Sequence, residues 1–253
     1  MFYLLEKILV VFTRKPLSKS QSFLFHFQEL RKTIIKCLAA IFLLYIPSFF
    51  ITPHIIDFLV KWSCPEEMSF LNYFSPMEVF VIQLKMAFTV ALAISFPYCI
   101  LQIWKFLLPA LHKNERKALK LWVIFASFLF VLGATFCILF ILPLLMSFSN
   151  SFSTPTLRPL IGLSSFLGLA SWLIVAFGVM FQFPIIVMVC VRFNIVQHSF
   201  LSSKRAYIIV IILILSAILT PPDVLSQILL ALPTYLLFEL GLFLSKRFER
   251  NKN

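Results

Sequence analysis

Six apolar runs, separated by short clusters of lysine and arginine, occupy most of this chain and leave few folds open to it. A membrane-spanning helix needs about 20 mostly apolar residues, and the runs at 33–52, 79–108, 121–143 and 165–191 meet that length. Those at 206–219 and 228–244 are shorter and match only a thinned bilayer. Pro53 and Pro143 bound the first and third runs, and Pro97 is expected to kink the second. Between the runs lie a polar stretch at 54–78, a charged loop at 109–120 and a Ser-rich loop at 147–159. The turn Thr220-Pro221-Pro222-Asp223 stops the fifth run, because paired prolines cannot continue a helix.

Composition agrees. Apolar residues make up 61% of the 253, with 31 phenylalanines and 5 glycines. Soluble chains hold roughly 45–50% apolar residues, and a water-soluble fold of this sequence would lack polar groups to coat its core. Lipid removes that constraint. The expected fold is all-α: a polytopic membrane protein of six transmembrane helices, one integral-membrane domain over 1–253. It comprises an N-terminal segment at 1–32, a bundle at 33–245 and a tail at 246–253.

The net charge of +12 is not spread as a nucleic-acid surface would be, since the basic residues sit in clusters between apolar runs. Nineteen of the 22 lysines and arginines fall on one side if both termini share it, leaving Lys61, Lys85 and Arg158 elsewhere. The excess of positive charge on cytoplasmic segments then places both termini in the cytoplasm. The five cysteines (Cys37, Cys64, Cys99, Cys137, Cys190) form no CxxC pair and mostly lie inside apolar runs, which reads as packing rather than metal binding or disulfides. Residues 1–12 are apolar but lack the basic start and cleavage site of a signal peptide, and are expected to form a short interfacial helix.

Polar groups that a plain bundle would not need gather at the predicted membrane boundaries. His26-Phe27-Gln28-Glu29-Leu30-Arg31 precedes the first run, and Ser75-Pro76-Met77-Glu78-Val79-Phe80 opens the second. Gln102 to Arg116 carries Trp104, Phe106, Pro109, Leu111 and Glu115, and Leu219-Thr220-Pro221-Pro222-Asp223-Val224-Leu225-Ser226-Gln227 joins the last two runs. In this order the four segments resemble the HLxELR, SPxExF, YQxWxFxxPxLxxxER and LTPPDxxSQ patterns of the TatC family, the core subunit of the twin-arginine protein translocase. The resemblance covers about residues 23 to 247.

The resemblance implies a receptor that binds paired-arginine signal peptides at the cytoplasmic face of the bacterial inner membrane, through Glu29, Arg31, Phe106 and Glu115. The chemistry suits the two glutamates. A guanidinium presents a planar fork of donors that a carboxylate accepts bidentately, and these carboxylates stand among basic residues that would otherwise repel a cation. Alternatively, Glu29 pairs with Arg31 or Lys32, and Phe106 simply packs. The resemblance also implies contact with single-span TatA- and TatB-like partners around Gln182, Thr220, Pro221, Pro222, Asp223 and Gln227, assembly with further copies of the chain, and no cofactor, transport drawing on the proton-motive force. The Thr-Pro-Pro-Asp turn could instead only set the geometry of a helix pair, with Asp223 capping the last helix.

One position departs from the family pattern. Phe177-Gly178-Val179-Met180-Phe181-Gln182-Phe183-Pro184 carries glutamine where glutamate is usual, so no mechanism needing a carboxylate there applies. Glu239 is read as a carboxylate deep in the last span, either protonated or paired, or else an intramembrane polar site. Lys85 either snorkels or pairs with Glu78. A secondary transporter of a small solute is the alternative class, but its repeated halves are missing. No GxSxG, HExxH or GxxxxGK motif supports an enzyme or an ATPase.

Overall fold

The computed structural model describes residues 19–64, 71–107, 116–154, 160–192, 196–220 and 224–250. These are helical apart from short connections, with one isolated bridge between Asn72 and Gly162. In chain order the helices are α1 (Lys19–Ser63), α2 (Pro76–Leu107), α3 (Arg116–Phe136), a π-helical turn (Cys137–Ile141), α4 (Leu142–Ser151), α5 (Leu163–Met180), α6 (Phe183–Arg192), α7 (His198–Ser203), α8 (Arg205–Leu219) and α9 (Val224–Arg250).

Five stretches are long and apolar enough to cross a membrane: Phe27–Ser63, Pro76–Phe106, Leu121–Ser151, Leu163–Val191 and Val224–Lys246. Their outer faces expose large apolar side chains such as Phe42, Leu43, Phe50, Phe128 and Leu236, as lipid contact requires. The last run is therefore not short: its helix starts at Val224 and continues to Arg250, past the expected 228–244 at both ends. Only α8, with 15 residues, is short. At 1.5 Å per residue it rises about 22 Å, short of a hydrocarbon core of about 30 Å.

Proline does not end these helices where the sequence suggested. α1 continues through Pro47 and Pro53 to Ser63, ten residues beyond the expected stop. A proline removes the bond to the carbonyl four residues back, which for Pro53 is that of Phe49. The Gln83 amide of α2 donates to that carbonyl at 3.4 Å, so the freed acceptor is satisfied from a neighbouring helix. At Pro143 a π turn does comparable work: the Leu142 N–H reaches back five residues to the Cys137 carbonyl, and the helix resumes through Ser151. The expected loop at 147–159 therefore begins only after that residue. Pro184 does interrupt the fourth run, with a turn at Phe181–Gln182 between α5 and α6.

The core lies where α5 is wrapped by α2, α3 and the π turn. Phe177, Leu167, Leu173, Met86 and Ile82 are fully buried there. Two glycines allow the close approach. A Cβ on Gly178 would fall 2.5 Å from the Phe130 ring, and one on Gly133 would fall 2.6 Å from the Phe177 carbonyl oxygen. At the other side, Gly241 of α9 meets the Pro184 backbone of α6, where a Cβ would lie 2.8 Å from Cα.

Candidate functional site

α1 and α2 run antiparallel, and their register locates the first group of predicted residues. The Cys37 thiol reaches the Cys99 carbonyl at 3.9 Å, and Tyr45 Oη donates to the Leu84 carbonyl at 3.4 Å. Continued past these contacts, the antiparallel pair puts Glu29 at the same end of the bundle as Phe106. Glu29 is half-buried, while Phe27, Arg31 and Lys32 around it are exposed. The only ion pair among the described residues lies elsewhere, so Glu29 pairs with neither Arg31 nor Lys32 there. Glu115 lies outside the described residues, as do residues 1–12. In the chain it stands one position before Arg116, where α3 starts at the same end of the bundle. Phe106 is half-buried and engaged in a contact.

Gln182 sits inside the bundle. Its side chain is 8% exposed, and its amide nitrogen donates to the carbonyls of Ala126 on α3 (3.1 Å) and Gly178 (3.3 Å). The break between α5 and α6 thus has its polar side chain turned inward, and no outer face of this residue is open to a partner helix.

The second predicted group sits on the α8–α9 hairpin. Thr220 is buried and its hydroxyl donates to the Ser216 carbonyl at 2.9 Å, while the Gln227 amide donates across to the Leu213 carbonyl at 3.1 Å. Trp172 of α5 donates its indole N–H to the carbonyl of Leu219, the last residue of α8, one of the helix-end acceptors that have no donor within their own helix. Pro221, Pro222 and Asp223 lie outside the described residues. Thr220 and Gln227 therefore spend donors on closing the hairpin.

Glu239 is not isolated at mid-membrane. The antiparallel hairpin brings it to the first residue of α8, where Arg205 Nε lies 2.8 Å from Oε1 and Arg205 Nη2 lies 3.3 Å from Oε2. Tyr235, one turn earlier, donates its hydroxyl to Oε1 at 2.9 Å. The fork geometry is what a guanidinium and a carboxylate favour, and both groups are partly exposed at the basic end of the bundle. The i, i+4 spacing of Tyr235 and Glu239 was a signal for the phenol contact, but Arg205 could be found only from the hairpin register.

Of the two alternatives for Lys85, the pair with Glu78 is not formed, because backbone amides occupy the Glu78 carboxylate. Its Oε2 accepts from the Phe74 N–H (2.8 Å) and its Oε1 from the Ser164 N–H (3.2 Å). Gly162, which caps α5, has no side chain to serve those amides. Beside this contact the Asn72 N–H donates to the Ile161 carbonyl at 3.3 Å and Leu163 N–H to the Asn72 carbonyl at 2.7 Å. The carboxylate ties the entry of α2 to the first turn of α5, and Lys85 stays exposed. No group of three or more metal-ligating side chains occurs among the described residues.

Together these features define a multi-pass helical membrane protein whose polar groups cluster at the ends of a thin bundle. The chain belongs to the TatC family: residues 25–233 match the family described as Sec-independent protein translocase protein (TatC). Proteins of that name are similar to it in Helicobacter pylori strain J99 (32% identity, covering 87% of each chain). So are those of Haemophilus influenzae (33%, 91% of each) and Escherichia coli K12 (30%, 90% of this chain and 89% of that protein). Among solved structures, a crystal structure of the twin-arginine translocase receptor TatC in DDM superposes with a TM-score of 0.78 at 29% identity. That match covers 87% of this chain and 99% of the other. The chain is a subunit of a twin-arginine, Sec-independent protein translocase.

Proposed function

We propose that this subunit is the signal-reading core of the translocase, capturing paired-arginine signal peptides at the cytoplasmic face of the inner membrane. Glu29 and Glu115 accept the two guanidinium groups, Arg31 belongs to the same peptide-binding site, and Phe106 contacts the apolar part of the signal. One observation carries the reading. The antiparallel α1–α2 pair puts Glu29, a carboxylate without an ion pair among the described residues, at the same end of the bundle as Phe106, where lysine and arginine collect. The crystal structure similar to this chain is of a protein described as the twin-arginine translocase receptor.

On this reading the chain crosses the membrane six times, the short α8 pairing with the longer α9, with both termini cytoplasmic. TatA- and TatB-like single-span subunits then assemble with it, along with further copies of the chain, and the proton-motive force drives passage of folded cargo. The α8–α9 hairpin offers a wholly apolar groove of about 270 Å³ between Ile209, Leu213, Leu232 and Leu236, which supports contact with a single-span helix on this face. The test is site-specific crosslinking of a twin-arginine peptide to positions flanking Glu29 and Glu115, together with export of a folded reporter by the E29A/E115A double variant. Crosslinks at both positions and loss of export are expected. Wild-type export by the double variant overturns the role of these carboxylates.

A further inference from the structure

At the end of the bundle opposite the N-terminal basic cluster, a groove of about 430 Å³ opens between the last turns of α1, the start of α2 and the start of α5. Its walls are apolar, including Pro53, Val60 and Leu163, but Asp57 and Lys61 line it together. They are four residues apart, so both project from one face of α1. Neither forms an ion pair among the described residues, in which Arg205–Glu239 is the only one, and both are exposed. The groove thus presents one negative and one positive group side by side, each open to a ligand.

Depth constrains what that ligand is. Lys32 to Asp57 is 25 residues of continuous helix, or about 37 Å, and Lys61 lies about 6 Å farther. With Lys32 at one membrane edge, these distances exceed a hydrocarbon core of about 30 Å but stay near the 40–45 Å that includes headgroups. Asp57 and Lys61 therefore stand in the headgroup layer of the opposite leaflet, with apolar wall beneath them.

We propose that this groove is a binding site for a phospholipid with a phosphoethanolamine headgroup, its ammonium on Asp57 and its phosphate on Lys61. An anionic lipid would satisfy Lys61 but be repelled by Asp57. A choline headgroup carries the right charges, but its quaternary nitrogen has no N–H to give the carboxylate. The expected order of affinity is phosphoethanolamine, then phosphocholine, then phosphoglycerol. The proposal does not depend on signal-peptide capture or on which leaflet faces the cytoplasm.

The full chain, stripped of lipid by detergent exchange, is titrated with mixed micelles of dioleoyl phosphatidylethanolamine, phosphatidylcholine or phosphatidylglycerol, and retention is read by native mass spectrometry. One phosphatidylethanolamine per chain is expected to be retained, and D57N/K61M is expected to weaken it by about tenfold, or 1.4 kcal/mol. K85M, which alters an exposed lysine outside the groove, should leave it unchanged. D57N, which lifts the repulsion, should bind phosphatidylglycerol more tightly than wild type does. Equal retention of the three lipids, unchanged phosphatidylglycerol binding in D57N, or no difference between D57N/K61M and wild type overturns the proposal. A photo-reactive residue in place of Tyr73 at the groove wall should capture lipid in intact membranes, and a polypeptide adduct there would assign the groove to a protein instead. Reporter export by D57N/K61M is a separate readout, so loss of signal capture is distinguishable from loss of the lipid site.

Discussion

At Gln182 the amide nitrogen faces two carbonyl oxygens, of Ala126 and Gly178, in a side chain almost fully buried. A carboxylate in that place would set acceptor against acceptor. Restoring the glutamate usual in the family, Q182E, is therefore expected to lower stability by roughly 1–3 kcal/mol, the cost of leaving buried partners unsatisfied, read as thermal unfolding in detergent. A Q182E variant as stable as wild type would mean that the neighbouring carbonyls find other donors. Glu78 gives a graded case. Its two oxygens serve the Phe74 and Ser164 amides, so thermal midpoints should fall in the order wild type, E78Q, E78A, since glutamine keeps one acceptor and alanine none. An E78A midpoint equal to wild type would show that water replaces both bonds. The sequence flagged Glu78 and Gln182 as polar groups at marked places, but one partner of each, Ser164 and Ala126, lies 86 and 56 positions away, and no local pattern encodes those two contacts.

Helices were legible where composition alone decides and misread where tertiary contacts do. The long apolar runs gave α1, α2 and α5 their places, because in lipid an apolar segment must satisfy its own backbone, whereas the last run, expected short, extends to the 27 residues of α9. The ends drawn at Pro53 and Pro143 failed, since Gln83 and the π turn supply what each proline removes. Packing between elements rests on small residues that the sequence shows without explaining. Gly241 lets α9 lie against the Pro184 backbone, and backbone cannot move aside as a flexible side chain would. G241A is expected to cost about 1–3 kcal/mol, as overpacking does, and to loosen α9 from α6. A crosslink between cysteines placed on those two helices should fall in yield, and an unchanged yield with unchanged stability would reject the contact. The α8–α9 hairpin is fastened instead by Arg205 and Glu239. Both are partly exposed, so removing either should cost less than about 1 kcal/mol. The exchange R205E/E239R should recover what each single variant loses. If the double variant is worse than either single one, Tyr235 or the surroundings prefer the original polarity.

On the scale of the whole molecule, the open question in the fold is whether α8 crosses. Trp172 holds the end of α8 at the Leu219 carbonyl. Since α5 begins at Leu163, that point lies about 14 Å along α5 from its first residue. The Leu219 end of α8 is thus recessed, and a bilayer of ordinary thickness would cover it. Two arrangements follow: the membrane thins over the hairpin and both its helices cross, or the pair dips in and returns without crossing. The Arg205–Glu239 pair fixes what the two share: α9 runs back beside α8, so the tail emerges where α8 starts in either case, on the side where the basic clusters collect. They differ at Val224, the exposed first residue of α9. In a chain whose cysteines are replaced, S153C, exposed after α4, K246C, exposed near the end of α9, and V224C report the three positions. A membrane-impermeant maleimide should label S153C and V224C in intact cells and K246C only after permeabilisation. V224C left unlabelled in intact cells would remove two crossings and leave the tail where it is. Labelling of K246C in intact cells would separate Arg205 from Glu239 and overturn the hairpin register.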